Sequence, residues 1–312
     1  MPDPIIRTEH LSRYFGAVKA VNDLTLEVPP GIIFGFLGPN GAGKTTTINL
    51  LLGLIKPTQG HASVLGFDVV RQANEIRSHC GVLLEFSGLY ERMSAEDNLD
   101  LYGRINNVSA AERRTRTQQL LEHLNLWERR KDRVLAWSRG MKQKLAIARA
   151  LFHHPQVIFL DEPTAGLDPV SAAELQKDLA KLAAYEGATV FLNTHNLMEA
   201  ENLCAHVGII KAGRLIAVGN PEDLRNRNMS TKVEIVGRGF TKSMVDLMCK
   251  LPEVAKVDFD PNRIEIELRE EESRNAPLVS LVVQNGGEVE DIKRGKSSLE
   301  EVFLTLMKEE RP

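Results

Sequence analysis

The chain has 312 residues, 43% of them hydrophobic, and a formal net charge of −3. That length and apolar content suit one large domain, or one with a smaller companion, and the near-neutral charge gives no global electrostatic case for nucleic acid. No apolar run approaches the roughly 20 residues that span a bilayer, Met1-Pro2-Asp3-Pro4 lacks a signal-peptide pattern, and Cys80, Cys204 and Cys249 form no CxxC pair, which reads as reduced cytosolic thiols.

Ile5 to Val28 reads as two strands about a turn at Tyr14-Phe15-Gly16-Ala17, ended by Pro29-Pro30-Gly31. Ile32 to Leu37 is an apolar run with the look of a buried strand, and Thr46 to Leu52 reads as a helix. Between them, Gly38-Pro39-Asn40-Gly41-Ala42-Gly43-Lys44-Thr45 fits the phosphate-binding pattern G-x-x-x-x-G-K-[ST]. Its glycines let successive N–H groups turn inward on phosphate oxygens, and the helix N-terminus, including Thr46, adds partial positive charge. Lys44 brings a full charge to the outer phosphates, and the Thr45 hydroxyl is a ligand type for Mg²⁺. Phe15, ahead of this loop, is either an exposed ring that stacks on adenine or an ordinary core aromatic.

A short strand at Ala62–Leu65 follows, then an apolar strand at Cys80–Leu84 that delivers Glu85 to its carboxyl end, where metal and phosphate sites lie in open α/β sheets. From Phe86 to Pro155 the pattern turns helical. Ser94-Ala95-Glu96-Asp97 and Ser109-Ala110-Ala111-Glu112 are N-terminal capping signals. The basic runs Arg113, Arg114, Arg116 and Arg129, Arg130, Lys131 read as a solvated face, with contact to a partner or to anionic lipid as the alternative.

Val157-Ile158-Phe159-Leu160 is a buried strand that ends on Asp161 and Glu162. At that strand end Asp161 can hold Mg²⁺, and Glu162 can accept a proton from a water attacking a γ-phosphate. A helix from Pro169 to Tyr185, closed by Gly187, leads to a strand at Ala188–Asn193 with Thr194 and His195 at its end; His195 can donate a hydrogen bond to the γ-phosphate. A hairpin at Val207–Val218 and a helix opened by Asn220-Pro221 complete this region. Beyond a polar linker at Arg225–Ser230, the order strand, helix, strand, strand, helix, strand predicts a small ferredoxin-like unit, and Ser298 to Lys308 a last helix. No catalytic constellation stands out there; binding, regulatory and structural roles all stay open.

Ser138-Arg139-Gly140-Met141-Lys142-Gln143 opens a helix just before the Asp161-Glu162 strand. With Gly38–Thr45, Val157–Glu162, Ala165-Gly166-Leu167-Asp168 and His195, it makes Ile5 to about Leu224 resemble the ATP-binding subunit of an ABC transporter. Two departures, Arg139 for the first glycine of the signature and Glu85 for the usual glutamine, are similar to those of the bacterial drug-export branch, the daunorubicin-type and sodium-efflux-type ATPases. Ser298–Leu304 resembles that branch's C-terminal extension.

The resemblance implies an α/β P-loop core in residues 1–226 with a helical subdomain at about 86–155, and a small α+β accessory domain in 227–312. It implies ATP and Mg²⁺ as ligands, Thr45, Glu85 and Asp161 at the metal, Lys44, Glu162 and His195 in hydrolysis, and Phe15 and Asp168 at the nucleotide. It implies a head-to-tail homodimer in which each ATP lies between Gly38–Thr45 of one subunit and Ser138–Gly140 of the other, closed by ATP and released by hydrolysis. Transmembrane permease subunits would be separate chains that touch the segment Phe86–Met93, with this chain peripheral on the cytoplasmic face of the membrane. From the two departures comes a separate expectation, that Glu85 and Arg139 meet across the dimer and offset each other's charge, with independent surface placement as the alternative. A non-transport regulatory ATPase of ABC type is the alternative; repair and translation members fit less well, because the chain lacks a long coiled-coil insert, zinc cysteines and a second phosphate loop.

Overall fold

The computed structural model describes residues 3–84, 87–227, 232–269, 275–294 and 298–308. Glu85 and Phe86 lie outside the described residues, as does the end of the linker read at 225–230. The chain divides into two compact units, Met1–Pro221 and Glu222–Pro312.

The first unit opens with a hairpin, β1 (Ile6–Phe15) and β2 (Val18–Val28). Then come β3 (Ile33–Leu37), α1 (Lys44–Leu51), β4 (Gln59–Val64), β5 (Phe67–Asp68), α2 (Ala73–His79) and β6 (Cys80–Leu83). The helical region holds α3 (Ala95–Ile105), α4 (Ala110–His123) and α5 (Arg139–Leu151). The chain returns through β7 (Val157–Asp161), α6 (Pro169–Glu186), β8 (Thr189–Thr194), α7 (Leu197–Leu203), β9 (His206–Lys211) and β10 (Arg214–Gly219). The short elements β5, α2 and α7 were not read from the sequence.

Two sheets result. One is antiparallel, in the order β2-β1-β4-β5; the other runs β10-β9-β3-β8-β7-β6, with β9, β3, β8, β7 and β6 mutually parallel and β10 antiparallel at the edge. The parallel strands are the near-continuous apolar runs, as burial on both faces demands. Phe191 of β8 is their hub, with ring centroids 5.5 Å from Phe34, 5.4 Å from Phe36 and 5.6 Å from Phe159. Parallel register sets Leu37 beside Thr194 and Asp161 beside Asn193, so β3, β7 and β8 discharge their following loops at one sheet edge.

The helical region is capped as the sequence reads: the hydroxyls of Ser94, Ser109 and Ser138 accept from the N–H groups of Asp97, Glu112 and Met141. One basic run is corrected. Arg116 is not on a solvated face but only 2% exposed; its guanidinium donates to both carboxylate oxygens of Glu186, at 2.7 and 2.8 Å, and to the carbonyls of Leu151 and Phe152. Arg113 is likewise committed, 2.6 Å from Asp100 and 2.7 Å from the Val108 carbonyl.

The second unit contains α8 (Pro221–Arg227), β11 (Lys232–Arg238), α9 (Lys242–Met248), β12 (Val254–Asp260), β13 (Arg263–Leu268), α10 (Ala276–Gln284), β14 (Glu288–Arg294) and α11 (Leu299–Lys308). Its antiparallel sheet runs β12-β13-β11-β14, the ferredoxin-like order that the strand–helix pattern predicts. Alternation in β13 buries Ile264, Ile266 and Leu268 in a core shared with Val233, Ile235, Leu278 and Val282.

Candidate active site

The loop between β3 and α1 is shaped by contacts that only small residues allow. A Cβ on Gly38 would lie 2.5 Å from the Ile210 carbonyl oxygen. Gly43, at φ 106°, caps α1, and a Cβ there would lie 2.2 Å from the Ala20 carbonyl oxygen. The Gly213 N–H donates to the Ala42 carbonyl at 2.9 Å, so the β9–β10 turn also braces the loop. Lys44 is 6% exposed and folds back on this loop: Nζ donates to the carbonyls of Gly38 (2.8 Å) and Pro39 (3.3 Å) and lies 3.8 Å from Glu162 Oε1. Burial pulls its pKa below the ordinary lysine value, against the opposing fields of Glu162 and Asp161. Pro39, Asn40, Gly41 and Thr45 are exposed and Thr46 is half-buried, so the loop's outer surface is open to a ligand.

Two residues donate to the β7 carboxylate of Asp161. The Thr45 hydroxyl donates to Asp161 Oδ2 at 2.7 Å, and the Asn193 amide donates to Asp161 Oδ1 at 2.6 Å. Glu162 follows at φ 50°, a left-handed conformation that costs a non-glycine residue about 1–3 kcal/mol. Its N–H donates to the Asn193 carbonyl at 2.8 Å, and its Oε1 lies 2.9 Å from Nδ1 of His195. Thr45, Asp161 and Glu162 line a cavity of about 320 Å³ together with Leu84, Arg139 and Gln143. Asn193 and Gln143 were missed in the sequence; a polar residue closing the apolar run Val190–Leu192 was the available signal for the first.

The signature residues divide. Arg139 faces this cavity in its own chain, and its guanidinium packs on Gly166: a Cβ on Gly166, itself at φ 69°, would lie 2.3 Å from Nη1. Ser138 and Gly140 instead border a second cavity of about 530 Å³, with Arg129, Lys144, Ser171 and Lys177. Asp168 is used as a helix cap, accepting from the N–H groups of Val170 (3.1 Å) and Ser171 (3.0 Å), and the Ser171 bonds hold its pKa below the usual carboxylate value. Phe15 closes the β1–β2 hairpin, is 48% exposed, and carries the Arg13 guanidinium over one face, 4.5 Å from the ring centroid; the core alternative for this ring does not hold.

A family profile described as ABC transporter matches residues 21–165, and one described as the C-terminal domain of DrrA1-3-like ATP-binding proteins matches residues 219–307. The bacitracin transport ATP-binding protein BcrA of Bacillus licheniformis is 35% identical over 309 residues, 97% of either chain. The chain belongs to the ABC transporter ATP-binding proteins. The daunorubicin resistance ATP-binding protein DrrA3 of Streptomyces coeruleorubidus is 35% identical, covering 100% of this chain and 98% of that one. The Nod factor export ATP-binding protein I of Cupriavidus metallidurans is 36% identical, covering 97% of each. Among solved structures, an ATP-binding subunit of an ABC transporter matches with a TM-score of 0.64 and 32% identity over 72% of this chain and 93% of that one. A nucleotide-free ATP-binding cassette matches with a TM-score of 0.63 and 28% identity over 72% and 94%. This ABC subunit is therefore an ATPase that works with transmembrane permease components. Among its described residues no helix is long and apolar enough to cross a membrane.

Proposed function

We propose that this ABC subunit powers an exporter, hydrolysing ATP at the edge formed by β3, β7 and β8 and working as a head-to-tail homodimer. The observation that carries the hydrolytic reading is the Glu162–His195 pair, 2.9 Å apart and beside Lys44 at the end of the phosphate loop. Export is favoured by the names of relatives that match along the whole chain, which cover bacitracin transport, daunorubicin resistance and Nod factor export.

In this reading Lys44 exchanges the Gly38 and Pro39 carbonyls for the outer phosphate oxygens, and Glu162 takes the proton of the attacking water. His195 orients that carboxylate and contacts the γ-phosphate. Thr45 and Asp161 would hold Mg²⁺. A hydroxyl beside one carboxylate suits an ion that keeps several waters and leans on substrate phosphates, and bound there it would neutralise phosphate charge. Phe15 offers its free face to the adenine.

The placement of Ser138 and Gly140, away from the cavity of their own phosphate loop, supports a role at the nucleotide of a second copy. ATP would then favour the closed dimer by contacts that exist only in that state. Tyr90 and Leu135, 52% and 61% exposed and brought near each other by the Leu135 N–H to Glu91 carbonyl bond, offer an apolar contact to the permease. The subunit would sit peripherally on the inner face of the membrane.

Glu162→Gln in the full chain tests the switch. It should retain ATP binding, lower kcat by roughly 10²-fold or more, and elute as a dimer with ATP and Mg²⁺. A variant that stays monomeric under those conditions overturns the dimer reading, and one with normal turnover overturns the assignment of Glu162. Co-expression with its transmembrane permease partner should give ATP-dependent efflux that Glu162→Gln abolishes.

A further inference from the structure

Glu199, in the first turn of α7, is only 1% exposed although its side chain is ionisable. Its Oε2 accepts from the Thr194 hydroxyl at 2.6 Å, and Thr194 Oγ1 in turn accepts from the Asn196 N–H at 3.0 Å. The Asn196 side chain closes the circuit by capping the Glu199 N–H at 3.1 Å. Among the described residues Oε1 has no hydrogen-bond partner, and the side chains of Thr164 and Gln176 come near enough to the carboxyl to favour its ionised form. Burial raises the pKa of this group. A buried carboxyl left partly unsatisfied is a costly way to pack a helix that an apolar side chain would anchor for less.

The location supplies a reason. Thr194 immediately precedes His195, and Thr164 stands two residues after Glu162. The loop of His195 is hydrogen-bonded to this buried carboxyl through Thr194, and Thr164 of the Glu162 loop lies beside it. Glu162 itself occupies a left-handed conformation that persists only where its surroundings over-determine it.

We propose that Glu199 is a positioning residue for hydrolysis: its buried carboxyl ties the loop after Glu162 to the loop that carries His195 and keeps that pair in register. The proposal rests on the assignment of Glu162 and His195 to ATP hydrolysis. The hydrogen-bond partners of Glu199, Thr194 and Asn196, lie on the His195 loop and not on the phosphate loop or the hairpin of Phe15, so its loss should act on turnover and spare nucleotide binding.

The test uses the full chain with Mg²⁺ and ATP. Glu199→Leu should lower kcat by about 10- to 100-fold, as displacement of a reacting group does, and leave KM for ATP within about twofold. Glu199→Gln, which keeps an acceptor for Thr194, should recover turnover to within a few-fold of the parent. Thr164→Val keeps shape, removes the hydroxyl, and should lower kcat in the parent but not further in Glu199→Leu, the non-additivity expected of partners. The proposal is overturned if folded Glu199→Leu turns over normally, or if its loss equals its unfolded fraction. If Glu199→Leu fails to fold, an unchanged kcat in Thr164→Val overturns it instead. Normal turnover in Glu162→Gln would sink the underlying hydrolytic reading; an inactive Glu162→Gln beside fully active Glu199→Leu and Thr164→Val would sink the positioning role alone.

Discussion

Nδ1 of His195 lies 2.9 Å from Oε1 of Glu162, and that same oxygen is 3.8 Å from Nζ of Lys44. One carboxylate oxygen is thus shared between an imidazole and an ammonium group. Removing the imidazole frees Glu162 from its orienting partner while leaving the phosphate loop intact. His195→Ala should therefore lower kcat by about 10²-fold, at the lower end of what positioned acid–base groups contribute, with ATP affinity unchanged. Single-turnover phosphate release beside equilibrium binding separates the two effects, and a near-normal rate would remove His195 from the mechanism.

Phe15 stands 48% exposed with Arg13 stacked on one face, and Arg13 is itself held by a 3.0 Å bond to the Lys56 carbonyl. The ring is braced on one face and about half of it reaches solvent. Stacking of a base on an aromatic ring is worth about 1–3 kcal/mol, so Phe15→Ala should weaken ATP binding by roughly 5- to 150-fold while Phe15→Trp preserves it. Arg13→Ala should cost less than Phe15→Ala, because it loosens the platform without removing it. Equal affinity for ATP in parent and Phe15→Ala would refute the platform.

What could be read from the sequence and what could not follows from where the information lies. Gly38–Thr45 was legible because its geometry is local: the turn needs glycines at fixed offsets, and the flanking strand and helix show in the apolar pattern. Asp161, Glu162 and His195 were legible because parallel strands deliver their ends to one edge. Arg116 misled, since a long cationic side chain in a basic run looks solvated, and only the fold reveals Glu186 waiting in the interior. The helices α2 and α7 were too short for a full amphipathic repeat; α2 buries Ile76 alone. Glu199 was invisible because its burial, and the Thr164 side chain that faces it from 35 residues upstream, appear only in the fold.

Arg139 and Gly166 give a second case of contact that only the fold creates. Gly166→Ala imposes two penalties, a left-handed backbone for a residue with a Cβ and a 2.3 Å approach to the guanidinium. The backbone part costs about 1–3 kcal/mol and remains whatever stands at 139. Arg139→Gly should relieve the second part, so the double variant should be more stable than the sum of the single losses predicts, by about 0.5 kcal/mol or more. Simple additivity in denaturant unfolding would show that the two residues do not touch.

The cysteines predict a pH-dependent reactivity. Cys80 and Cys204 are buried and Cys249 is exposed. Burial pushes the Cys80 thiol up to about 12 and raises Cys204 as well. The thiolate is the reactive form, so at pH 8 the native chain should show one fast thiol, at Cys249, and two that react only on unfolding. Folded thiols that ionise later than unfolded ones favour the fold below the unfolded value, near pH 8.5, and lose that contribution as pH climbs toward 12. Titration with a thiol reagent in native buffer and in denaturant checks the count, and three fast thiols in native buffer would contradict it.

The Arg116–Glu186 pair makes the sharpest prediction about stability. It joins α4 to the ends of α5 and α6, with side chains 2% and 5% exposed and paired at 2.7 Å. Arg116 also satisfies the carbonyls of Leu151 and Phe152 at the end of α5. Arg116→Met keeps most of the apolar stem but strands the Glu186 carboxylate in the interior, where among the described residues the exposed His154 imidazole, 3.2 Å away, is its remaining side-chain partner. Breaking a buried pair from one side costs about 3–5 kcal/mol, because the remaining charge is left uncompensated. Replacing both partners removes the stranded charge, so Arg116→Met with Glu186→Leu should be more stable than Arg116→Met alone. The chain has two compact units, and the effect should fall on the transition of the first, leaving the second unit's transition where it was. A single Arg116→Met variant that unfolds within about 1 kcal/mol of the parent would mean that water reaches Glu186 and that the pair is not buried in solution.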